Sequence, residues 1–199
     1  MAKYAETIER LMEEFGRLPG IGARTAERLA FHILKASTDE AMALARAIHD
    51  VKTKIRPCSR CFNLSEGELC NVCSDSRRDA GVICVVEQPK DLLAIEATGA
   101  YGGVYHVLMG HIAPLEGIDA EDLTIDALVA RVRDGDVREL ILATNPTVAG
   151  DGTALHIASL LAETGVKITR LARGLPSGGQ IEYANKTILT DAITERRDV

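Results

Sequence analysis

Apolar residues recur every three or four positions at the start of the chain. Tyr4, Ile8, Leu11, Met12 and Phe15 mark one amphipathic helix, and Ala26, Leu29, Ala30, Ile33 and Leu34 mark a second. Leu18-Pro19-Gly20-Ile21-Gly22 interrupts the pattern, so the two helices form a hairpin about a short glycine turn. Ala41, Leu44, Ala45 and Ile48 predict a third helix over 39–55, capped by Thr38 or Asp39. From about residue 80 the period changes. "GVICVVE" (81–87), "VYHVL" (104–108), "ELILAT" (139–144) and "VKITRLA" (166–172) are short β-rich runs. Between them lie the helical stretches "PKDLLAIEATG", "AEDLTIDALVARVRD" and "GDGTALHIASLLAETG". This alternation predicts an α/β unit with a mainly parallel sheet flanked by helices. "KTILT" (186–190) reads as a last strand, and "ERRDV" (195–199) as an exposed end.

Composition narrows the function. A chain of 199 residues that is 46% hydrophobic buries a real core. The net charge of −6 excludes a general polycation, so nucleic acid can be held only by a local basic patch or by backbone amides. With no Trp and three Phe, aromatic base-stacking platforms are not expected. The charged, amphipathic start lacks the apolar stretch of a secretory signal, which gives a cytoplasmic expectation. The uncharged segment 97–115 is broken by four glycines, Pro114, His106 and His111, so it does not read as a membrane span.

Four of the five cysteines fall in "CSRCFNLSEGELCNVC" (58–73), as Cys58-x-x-Cys61 and Cys70-x-x-Cys73. Two such knuckles supply four thiolates in a tetrahedron, which is a structural zinc pattern with no open position for substrate. Two disulfides or an iron–sulfur cluster use the same residues. The unpaired Cys84 and the missing export signal speak against disulfides. Cys84 itself lies in a buried-strand run and reads as packing.

The hairpin has its own chemistry. A glycine turn feeding a helix N-terminus points unpaired amides outward at the positive end of the helix dipole. Gly20 and Gly22 let a sugar–phosphate backbone approach closely. Arg24 and Arg28 lie on the face opposite the apolar stripe, and Lys35 continues that face. Such contacts hold DNA without reading its sequence. Leu18-Pro19-Gly20-Ile21-Gly22 resembles the helix–hairpin–helix motif of DNA-repair proteins. An ordinary helical turn with solvated arginines is the alternative.

In parallel sheets function collects at the carboxyl ends of strands. Glu87 ends the first strand and is followed by Asp91; Asn145 follows the third, with Asp151 nearby. The order resembles the Toprim domain, in which a Glu and an Asp-x-Asp pair hold magnesium. Here Ala143-Thr144-Asn145 replaces that pair, which makes a poor magnesium site and points instead to protein docking. Gly174 and Gly179 match the glycines of a Walker A loop, but Gln180 and Ile181 replace its Lys and Ser/Thr.

In chain order these motifs, with "GAYGGVYHVLMGHIAPLEGI" and "TRLARGLPSGGQIEYA", resemble the RecR family of bacterial recombination mediators along essentially the whole chain. The resemblance implies a helix–hairpin–helix domain over 1–53, a four-cysteine zinc finger over 54–78, a Toprim-like domain over 79–172 and a subunit-contacting segment over 173–199. It implies a non-catalytic DNA clamp that acts with RecO and RecF to load RecA on SSB-coated single strands, as a dimer or ring tetramer, at the bacterial nucleoid. It implies DNA contacts at Gly20, Gly22, Arg24, Arg28 and Lys35, one zinc on Cys58, Cys61, Cys70 and Cys73, and a partner site at Glu87, Asp91, Asn145 and Asp151. Similar proteins often carry Glu where this chain has Ala149. A magnesium-dependent nuclease or primase of the Toprim type is the alternative, and a sequence-reading zinc ribbon is a third.

Overall fold

Helix-period patterning yields three helices in the first unit of the computed structural model, which describes residues 4–196. The chain divides into two compact units, Met1–Ile55 and Arg56–Val199. In the first, α1 (Glu6–Gly16) and α2 (Ala23–Lys35) pack as the expected hairpin. Ala26 and Ala30 are buried at their contact, where small side chains allow close approach. Tyr4 sets its ring edge-on to Phe31 at 5.3 Å and donates its hydroxyl to Glu27 at 2.8 Å. Helix α3 (Thr38–Lys54) is capped by Ser37, not by Thr38 or Asp39. Ser37 alone is matched to a glutamate three places on. The Glu40 N–H donates to Ser37 Oγ at 3.2 Å and the Ser37 N–H to Glu40 Oε2 at 2.9 Å. Met42, Leu44, Ile48 and Val51 of α3 stay exposed.

The second unit opens with a two-stranded antiparallel ribbon, β1 (Arg56–Pro57) and β2 (Leu64–Ser65), and a single helical turn, α4 (Asn71–Ser74). A four-stranded sheet follows: β3 (Asp79–Val86), β4 (Gly103–Val107), β5 (Glu139–Leu142) and β6 (Lys167–Arg170), in the order β4-β3-β5-β6. All its pairings are parallel, with Cys84 opposite Tyr105 on one side and Ile141 on the other. Helices α5 (Pro89–Glu96), α6 (Ile125–Arg133) and α7 (Val148–Leu160) supply the crossovers.

Both sheet faces are buried, which is why the strands read as continuous apolar runs. Ile83, Val85, Leu140 and Leu142 face Leu128, Val132 and Ile157 of α6 and α7. Cys84, Val86, Tyr105 and Val107 face Leu92 of α5, with Phe62 and Val72 of the cysteine segment packed against them. The stretch 120–134 is not one helix. A 3-10 turn, Ala120–Asp122, precedes α6 because Thr124 is tied to the end of β4. Its N–H donates to Leu108 O at 3.2 Å and its hydroxyl to Val107 O at 2.7 Å.

"KTILT" is not a strand. Residues Lys186–Thr194 form helix α8, capped by Asn185, whose side chain accepts the Ile188 N–H at 2.9 Å. Ile188, Leu189, Asp191 and Ala192 are the partly buried residues of this helix, at helical spacing. The cap and that spacing overrule the β-branched composition. Of the tail 195–199, only 195 and 196 lie within the described residues. Among those residues no helix is long and apolar enough to cross a membrane.

Candidate functional site

The cysteine pairs converge as their spacing requires. Cys58, Cys61, Cys70 and Cys73 are all buried, and their sulfurs lie within 4.8 Å of one another, with Cys61 and Cys70 Sγ 3.5 Å apart. A tetrahedron of Zn–S bonds of about 2.3 Å has S···S edges of about 3.8 Å, so the cluster fits zinc with only small shifts of the sulfurs. Cys58 and Cys61 lie in the turn between β1 and β2, whereas Cys70 is the N-cap of α4 and Cys73 lies within it. The Cys70 N–H donates to Cys58 Sγ at 3.3 Å, and the Cys58 N–H to Asn63 O at 2.7 Å. Without metal, a hydrogen bond shared by Cys61 and Cys73 pushes the Cys61 thiol up and brings Cys73 down to about 6. The fifth thiol, Cys84, is pushed up to about 12 by burial and is inert packing, as the sequence suggests.

The finger is joined to the sheet. The Val107 N–H on the outer edge of β4 donates to Cys61 O at 2.8 Å. Phe62 takes a left-handed backbone (φ 62°), unusual for a bulky residue, and sets its ring against His106 at 5.3 Å.

In the hairpin, Gly20 has φ 77°, so glycine is required there; Gly22 does not use that region and serves as the N-cap of α2. No side chain caps α2 and its first turn holds no acidic residue, leaving the amide dipole uncompensated. Open space surrounds both glycines. Arg24, Arg28 and Lys35 are exposed and share one face of α2, opposite Ala26 and Ala30. Lys35 stands three turns from Arg24, about 16 Å along the axis.

At the strand ends the structure separates residues that the sequence grouped together. Glu87 and Asn145 do meet. The Asn145 N–H donates to Glu87 Oε1 at 2.8 Å and its side-chain amide to Oε2 at 2.7 Å. His111 Nδ1 adds a contact to Oε2 at 3.1 Å. A Cβ at Gly150 would lie 2.7 Å from Glu87 Oε1 and collide with Asn145 O, so the carboxylate is wedged against the start of α7. Asp91 does not join it; its carboxylate accepts the Gln88 N–H at 2.9 Å and caps α5. Asp151 does not join it either. Arg173 and Arg170 hold it, the latter at 2.6 Å, and keep its carboxyl down at about 2. No sequence signal points to His111 or to these arginines, because they reach Glu87 and Asp151 only through the fold.

Three family models match the chain, in order along it: the RecR helix-hairpin-helix over residues 8–52, the RecR four-cysteine zinc finger domain over 55–75 and the Toprim domain over 81–172. Proteins named Recombination protein RecR are similar along the whole chain. That of Rhodopirellula baltica is 56% identical over 99% of each chain, and that of Rubrobacter xylanophilus 54% over 100% of each. The Streptomyces coelicolor protein is 49% identical over 98% of each. The cysteine cluster therefore holds one structural zinc. Identity at this level across full-length chains leaves one conclusion: the chain belongs to the RecR family.

Proposed function

We propose that this protein is a non-catalytic DNA clamp that mediates recombinational repair in the bacterial cytoplasm, at the nucleoid. Domain divisions at 1–53, 54–78, 79–172 and 173–199 belong to this reading. The observation that carries it is the hairpin: an uncapped helix N-terminus beside Gly20 and Gly22, with Arg24, Arg28 and Lys35 exposed on one face. Amides and guanidinium groups so placed grip phosphate without reading bases. Replacing Arg24 and Arg28 together by Ala is expected to lower DNA affinity at least about tenfold and to flatten its salt dependence. Zinc content and the melting temperature stay at wild-type values. Unchanged binding in a fluorescence anisotropy titration removes the hairpin from the reading.

Self-association completes the clamp. An open apolar groove of about 480 Å³, lined in part by Ile8, Leu11, Ile33, Leu34 and Met42, suits a second copy's helices. Ile181, Tyr183 and Ile193 in the C-terminal segment stay exposed, which suits a second subunit contact. A ring confines DNA topologically, so an acidic chain needs few phosphate contacts per subunit.

The Glu87 region is the surface proposed for RecO and RecF, through which RecA is loaded onto SSB-coated strands. Glu87 is buried, and Asn145 and the exposed Val148, on the first turn of α7, present the surface around it. A magnesium-dependent reaction has no support in the donor set, since Glu87 is committed to Asn145 and His111, and Asp151 to arginines. Val148→Asp is expected to weaken RecO binding about tenfold while DNA affinity holds. Wild-type RecO affinity in calorimetry assigns the docking surface elsewhere.

A further inference from the structure

Helix α6 sends one cation towards the zinc finger. Arg131 is partly buried and donates from Nη1 to Tyr105 O at 2.7 Å, on the outer edge of β4. Two residues further along that edge, the Val107 N–H donates to Cys61 O at 2.8 Å, so the guanidinium sits where the finger meets the sheet. Among the described residues no carboxylate pairs with Arg131. Its neighbour Arg133 points away, donating to Leu160 O at 3.4 Å. A cation withdrawn from water without an ion partner is costly, and an arginine at such a site has a negative charge to face.

Four thiolates around zinc leave two uncompensated negative charges in a buried site. The amide-to-sulfur bond from Cys70 to Cys58 spreads some of that charge but supplies no countercharge. Arg60, also near, is exposed and donates to Cys73 O at 3.4 Å, so water screens it. We propose that Arg131 is the counter-ion of the zinc–thiolate centre, a positioning residue through which the sheet unit sets how tightly the finger keeps its metal. The sequence gives no hint of it, since Arg131 lies 58 positions beyond Cys73 in an ordinary helical stretch.

The test is zinc release from the full-length protein under excess chelator, read with a chromogenic zinc indicator. Arg131→Gln keeps a donor for Tyr105 O but removes the charge, and is expected to release zinc about 10- to 100-fold faster. Arg131→Lys keeps the charge and stays within about threefold of wild type. In the cobalt-loaded protein, the thiolate charge-transfer band moves with Arg131→Gln and not with Arg131→Lys. A wild-type release rate for Arg131→Gln overturns the proposal, as does equal acceleration by both variants, which makes the residue a packing element. If Arg131→Gln does not fold, Arg131→Lys decides alone, with a tenfold acceleration counting against.

Discussion

Chelating the zinc is expected to unfold the finger and to open the β4 edge of the sheet as well. Structural zinc in zinc-finger peptides contributes about 10–16 kcal/mol of apparent binding energy, which is folding energy there because no preformed site exists without metal. A typical domain has only about 5–15 kcal/mol in total. In this fold the loss propagates, because the knuckle covers a sheet edge. Without it, the Val107 N–H loses Cys61 O, and Phe62 and Val72 no longer cover Cys84, Val86 and Tyr105. Hydrogen exchange measures this directly. Amides of β4 are expected to lose protection on zinc removal, while those of β5 and β6 keep most of theirs, and α1 with α2 keeps its own hairpin packing. Unchanged protection of Val107 in metal-free protein would falsify the coupling.

Acidification is expected to destabilise the same junction through His106. This side chain is wholly buried between Thr124 and Phe62. Its Nε2–H donates to Thr124 O at 3.0 Å; Nδ1 is buried without a partner. Removal from water, the main cause, holds its pKa down at about 4 against an ordinary 6.5. The unfolded chain therefore binds the proton first. The contribution to stability is complete above about pH 6.5 and is lost progressively as pH falls towards 4. A displacement of that size corresponds to roughly 3 kcal/mol. Thiolate protonation also weakens the finger in acid, so the measurement is a difference. His106→Gln, which keeps a donor and cannot titrate, starts less stable at neutral pH and declines less steeply in denaturant midpoints between pH 7 and 4. Parallel curves for the two proteins rule out His106 as the acid-sensitive group.

Much of the fold is legible along the chain because each element carries its own period. The hairpin helices, the zinc knuckles and all four strands of the sheet fall where patterning puts them. Misreadings occur where a local signal competes with something distant. "KTILT" has strand composition, yet Asn185 starts a helix and no sheet edge receives it. The stretch 120–134 carries a helical period, but Thr124 is claimed by the carbonyl of Val107. Asp91 and Asp151 sit within a few residues of Glu87 and Asn145, and sequence proximity groups all four. In space one is a helix cap and the other an arginine pair.

By itself, the sequence determined what is local: helix and strand periods, a glycine turn between the first two helices and a four-thiolate set fixed by two short spacings. Dihedral preference and backbone hydrogen bonding act within a few residues, so neighbours suffice to specify them. Only the tertiary structure decided that His111 reaches Glu87, that Arg170 and Arg173 take Asp151, and that Arg131 reaches the Tyr105 carbonyl on the edge of β4. Electrostatics and packing depend on distance through space, and parallel crossovers bring together residues that no spacing rule connects.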